Sequence, residues 1–264
     1  MGELIVKDAG KYKKYEELLL KRDQLNKEAG SLNTAYVKEF GELLLKDFEL
    51  KVECIKKRKM IAYCLAAVNH GEAIDVADMN AKIAHEMAIY ELQLKQMVSE
   101  KEEADKQKVS PSYKVERAKR IYRRIAKLIH PDINPTAAEI EEIGELWGRV
   151  VIAYHCNDDE ELDNLEILVR RVLKEHGSEL GAGAQVEIED IDDRIALLEE
   201  QINTIITTEP YVWRELLESP EKIEAKRAEI EHEIEESKKY SEELSKILQD
   251  IIAGGGAPIA WIQD

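Results

Sequence analysis

Apolar residues recur at three and four along nearly the whole chain, a spacing that predicts helices. The clearest case lies near the middle. Val115, Ala118, Tyr122, Ile125, Ala126 and Ile129 fall on one side of a helix, while Arg117, Arg120, Arg123, Arg124 and Lys127 gather on the other. Ser110 and Pro111 read as its N-cap and first-turn proline, and Pro131 stops it, so the helix runs from about Pro111 to about Ile129. After a polar loop, Ile140, Ile143, Trp147, Val150 and Tyr154 mark a second helix, with Glu139, Glu141, Glu142 and Glu145 on its other faces. Two helices joined this closely should pack antiparallel. Tyr122, Ile125 and Ile129 would then meet Trp147, Val150 and Tyr154, leaving His130-Pro131-Asp132 exposed at the tip.

The same spacing divides the rest of the chain. Tyr12, Tyr15, Leu19 and Leu25 mark a first helix, with Gly30 as its stop; a second carries Tyr36, Phe40, Leu44, Phe48 and Val52 and ends near His70-Gly71. A third begins near Asp75 or Asp78, with Val76, Ile83, Met87, Tyr90, Leu94 and Met97 on a seven-residue seam. Residues 1–109 thus read as a helical arm, and 110–176 as the hairpin plus a helix marked by Leu162, Leu165, Val169 and Val172. Residues 177–185, GSELGAGAQ, are a linker, 186–252 a coiled coil and 253–264 a tail containing Trp261. The coiled coil has two stretches, Ile188 to Ile205 and Ile223 to Ile251, interrupted from Thr207 to Pro220. They would fold back on each other or pair with a second copy in a homodimer. In the interruption, Tyr211 and Trp213 either pack the turn or touch a client or partner. The fold class is all-α and elongated, long helical arms flanking an antiparallel hairpin.

The hairpin resembles a known family. Tyr122, Ile125, Ala126 and Ile129 running at once into His130-Pro131-Asp132, with Asn134 after it, resemble helix II and the loop of the J domain of DnaJ-type co-chaperones. Trp147, Val150 and Ala153-Tyr154 match that family's helix III in spacing. A bare His-Pro-Asp is a weak motif, but flanked by both helices it is specific. The resemblance implies docking on a DnaK-type chaperone: His130, Pro131 and Asp132 as contact residues that promote ATP hydrolysis there, and Arg117, Arg120, Arg123, Arg124 and Lys127 as a ridge steering onto an acidic surface. The match covers about a fifth of the chain. The family's short first helix, with a Tyr-x-x-Leu-Gly type of sequence, has no counterpart just upstream of Ser110, where the charged run Lys101 to Lys108 stands. Another element must replace it, or the module is degenerate.

Composition narrows the alternatives. The 264 residues are 44% hydrophobic and 35% charged but only 6% aromatic, which favours long exposed helices, and the net charge of -17 opposes a sequence-independent grip on nucleic acid. Cys54, Cys64 and Cys156 form no metal or disulfide pattern, and no coordinating set accompanies His130, so neither a metal nor another cofactor is expected. With no apolar run of membrane-spanning length, the expected place is the cytoplasm. The function expected is that of a co-chaperone or adaptor rather than an enzyme, with a DnaK-type chaperone and an unknown client as partners, and neither nucleic acid nor membrane. The rival is a coiled-coil scaffold that keeps a J-like hairpin only as packing.

Overall fold

The computed structural model describes residues 4–107, 110–176 and 191–253; the linker, Ile188 and the tail with Trp261 lie outside them. Every regular element described is helical. The first, α1, runs without a break over Leu4–Asn69, where two helices are predicted. Gly30 does not stop it. A lone glycine inside a helix costs only about 1 kcal/mol relative to alanine, no proline lies within the span, and buried Leu25 and Ala29 anchor the turns before it. The predicted end near Gly71 is correct: its φ of +69 is the left-handed conformation that closes a helix.

Asp75 caps α2 (Val76–Lys106), its carboxylate accepting the amides of Ala77 and Asp78 at 2.9 and 3.0 Å. The next helix, α3, spans Ser112–Ile129, and its N-cap is Pro111, not Ser110. The Pro111 carbonyl takes the first helical bonds, from Lys114 and Val115, so Ser110 sits one residue too early to cap. A short α4 (Pro135–Ala138), capped by Asn134, precedes α5 (Glu141–His155) and α6 (Asp159–Glu175). Then come α7 (Ile191–Thr207), a single 3-10 turn (Tyr211–Trp213), α8 (Arg214–Leu217) and α9 (Pro220–Ala253).

By contact these elements form two compact units, whose limits differ from the segments read in the sequence. The first, called here the hairpin unit, holds residues 1–32 and 108–212; the second holds 33–107 and 213–264. Within the hairpin unit, α3, α5 and α6 close one core. Tyr122, Ile125 and Ile129 meet Val150, Tyr154 and the partly buried Trp147 as the spacing predicts; Ile121 and Ile143 join them, and Leu162, Leu165 and Val169 of α6 complete the third side. Leu20 of α1 enters the same core. A neighbouring cluster sets Ile191, Ile195 and Leu198 of α7 against Tyr15 and Leu19 of α1.

In the second unit, Cys54, Ile61 and Cys64 of α1 pack with Met79, Ile83 and Met87 of α2 and with Leu244 and Ile251 of α9. Phe40 takes Ile230 and Ile234. The two late seams are therefore real apolar stripes, but among the described residues the first is covered by α1 and the second by α1 and α2, not by a folded-back coiled-coil hairpin. No described helix is long and apolar enough to cross a membrane.

Candidate functional site

The His-Pro-Asp loop is held from inside. Pro131 ends α3, whose last turn still donates the His130 amide to the Ala126 carbonyl at 2.8 Å. The His130 carbonyl accepts the amides of Ile133 and Asn134, and Asn134 donates its side-chain amide to Leu128 at 2.9 Å while capping α4. His130 Nδ1 accepts the Asp132 amide at 3.0 Å, which leaves the ring proton on Nε2, facing Asp23 of α1 at 3.4 Å. The imidazole lies edge-on to Trp147, with centroids 4.8 Å apart.

His130 is therefore buried, at 5% exposure, where the hairpin alone predicts an open tip. Two neighbours cause this: Trp147 beneath and α1 beside. Only Pro131 and Asp132 face out. Because both ring nitrogens are occupied, His130 has no free nitrogen for base catalysis. Among the described residues no group of three His, Cys, Asp or Glu side chains is placed to hold a metal ion.

Asp23 is the hub. It accepts from the Tyr122 hydroxyl at 2.8 Å and from Arg22 at 3.0 Å, besides facing His130. Burial works to raise its carboxyl, but the hydrogen bonds from His130, Tyr122 and Arg22 outweigh that and hold it below the ordinary carboxylate value. Arg22 also lies 3.8 Å from the Asp132 carboxylate.

The basic ridge is flanked by acids on both sides. Toward α6, Arg117 pairs with Asp159 at 2.8 Å and with Asp163, and Arg124 forks onto Glu166 at 2.5 to 3.1 Å. Burial pushes the Asp159 carboxyl up, but Lys114 and Arg117 outweigh it and hold it low. Toward α1, Lys127 pairs with Glu16 at 2.6 Å and Arg123 donates to Gln24 at 3.2 Å. Arg120 is exposed between the two sides.

Comparison with protein-family models, with curated proteins and with solved structures finds no match to this chain. The site therefore has to be read from its own chemistry. The α1 stripe that meets the hairpin, Glu16, Leu20, Asp23 and Lys27, is spaced at three and four but mixes charged and apolar residues, so a hydrophobic pattern does not flag it. One signal was there: Tyr15-Glu16-Glu17-Leu18 has the Tyr-x-x-Leu spacing sought upstream of Ser110, though Leu19 follows it rather than Gly.

The remaining candidates are packed. Trp213 stacks on Tyr36 with centroids 3.9 Å apart, and Leu216 and Leu217 close on Phe40. Tyr211 is half-buried, with its hydroxyl 3.5 Å from Glu28. Cys54 and Cys64 are buried and Cys156 is exposed.

Lys27 is the one strongly perturbed cation here. Its ammonium is buried 3.7 Å above the Tyr154 ring, with no hydrogen-bond partner among the described residues, and burial followed by the charge of Lys119 lowers it from 10.5 to about 8. The unfolded chain keeps this proton to higher pH, so from pH 8 upward the contribution of Lys27 to stability rises. Urea unfolding of the wild type should therefore gain about 1.5 kcal/mol on that of Lys27→Met between pH 8 and about 9.5. Parallel curves for the two chains would show that Lys27 stays charged throughout.

Proposed function

We propose that the hairpin unit is a J-like docking module, which engages a DnaK-type chaperone through the Pro131-Asp132 tip and the α3 ridge and stimulates its ATP hydrolysis. The observation that carries this reading is the loop itself. A carboxylate is held out in a turn that is fixed by His130 and Asn134 and backed by Trp147, at the end of a helix whose outer face is cationic. Such an arrangement presents one anion and a row of cations in fixed register to a partner carrying the opposite pattern. The chaperone supplies the nucleotide chemistry, so no catalytic group is needed in this chain. The client would be brought by the remaining helices, and the chain would work in the cytoplasm, where such a chaperone would meet it.

A second reading has one observation in its favour. His130 is buried against Asp23 and Trp147, as in a hairpin kept only for packing within a scaffold. Asp132→Asn separates the two, because Asp132 is half-exposed and its carboxylate, 4.0 Å from His130 Nδ1, accepts none of the hydrogen bonds that fix the loop. His130→Gln is less clean, since it also breaks the loop. In single-turnover ATP hydrolysis by a DnaK-type chaperone, the wild type should accelerate the step and Asp132→Asn should lose at least about tenfold of that, as removal of a charged contact does. Equal rates with either chain, or no acceleration by either, would favour the scaffold.

A further inference from the structure

We infer that the N-terminal part of α1 is a built-in competitor of the docking partner, presenting to the loop and ridge the charge pattern that a partner surface must present. This rests on the docking reading and adds regulation to it. Arg22 stands where a partner cation would meet Asp132, 3.8 Å from its carboxylate. One and a half turns earlier, Glu16 stands where a partner carboxylate would meet the ridge, 2.6 Å from Lys127. Gln24 takes Arg123 at 3.2 Å. A cation on the tip and an acid on the ridge, both supplied by one helix, are the complement of the docking surface.

These contacts differ in kind from the ones that hold α1 in place. Tyr15, Leu19 and Leu20 are buried in apolar clusters, and Asp23 bonds groups inside the unit. Glu16 and Lys127, by contrast, keep 26% and 55% of their side chains exposed, and Arg22, which reaches Asp132 while also donating to Asp23, keeps 23%. Pairs this wet are weak, so the competitor yields to a partner that offers more contacts rather than shutting the site. It sets a threshold: a surface matching only the loop, or only the ridge, gains little over what α1 already supplies.

The test uses the full chain carrying Glu16→Gln and Arg22→Ala together and, because Arg22 also donates to Asp23, Glu16→Gln alone, which should act in the same direction about half as strongly on a free-energy scale. In single-turnover hydrolysis by a purified DnaK-type chaperone, the chain concentration giving half-maximal stimulation should fall about fivefold for the double variant relative to wild type, as expected for removing two exposed pairs. Lys14→Gln serves as control. It breaks the 2.7 Å α1–α7 pair with Glu199, away from the loop, and should leave that concentration unchanged. Stimulation that is present but indifferent to the double variant, or weakened by it, overturns the competitor while the docking reading stands. An equal shift from Lys14→Gln overturns it too, because general loosening of α1 would then be the cause. Stimulation absent from every chain, wild type included, overturns both readings together.

Discussion

Leu20→Ala is expected to destabilise the hairpin unit by about 2–4 kcal/mol, the cost of deleting a buried leucine whose neighbours relax only partly. Leu20 is 5% exposed and belongs to the cluster formed by Tyr122, Ile125, Val150 and Tyr154. It is also some ninety residues before the start of α3, so the size of the effect reports whether the hairpin is self-contained. Amide exchange is the most direct reading. Amides of α3 and α5 should exchange about thirty- to a thousandfold faster in the variant, the factor that 2–4 kcal/mol implies where exchange follows unfolding of the unit. Exchange on α3 and α5 unchanged while that of α1 rises would mean that α1 only rests on a module that folds without it.

Asp23→Ala is the second large effect. It strands the Nε2–H of His130 and the hydroxyl of Tyr122, and removes the anion beside Arg22, for an expected loss of about 2–4 kcal/mol. Asp23→Asn keeps an acceptor and should lose roughly half as much. The pH dependence carries a sign that the packing variant lacks. Asp23 is held below its ordinary value in the folded chain, so its contribution is complete above the unfolded carboxylate pKa of about 4 and is lost as pH falls through the lower folded value. The stability gap between wild type and Asp23→Ala, followed by urea unfolding, should be flat from neutral pH to about pH 5 and should narrow below about pH 4. A gap that stays constant into acid would assign the loss to packing and not to the charge.

Both variants bear on what could be read without coordinates. The amphipathic face from Val115 to Ile129 and its match in Ile143 to Tyr154 were legible, because each residue's fate there is set by neighbours three and four positions away. The late seams were legible as stripes that need cover. Their cover was not, since an isoleucine every third or fourth residue demands an apolar partner but does not say which one; it is α1 for the first seam and α1 with α2 for the second. Gly30 misled because glycine's conformational penalty is small beside the burial of Leu25 and Ala29, which α1 keeps by running on. The burial of His130 was invisible for a different reason. It depends on Asp23, an acid on a helix face with no hydrophobic signature, 99 residues from the tyrosine that shares it. The loop's residue types were evident, but their accessibility was decided by a distant charge.

The distance between α1 and its partners also sets an order of events at the ribosome. Lys11 meets Asp192 across 181 residues, and Lys51 meets Glu233 across 182. At about 5–20 residues per second, the partners of α1 emerge roughly 10 to 40 s after α1 itself. For that interval Tyr15, Leu19 and Phe40 lack their partners on α7 and α9, so the nascent chain displays an apolar stripe that is only partly covered until those helices leave the tunnel.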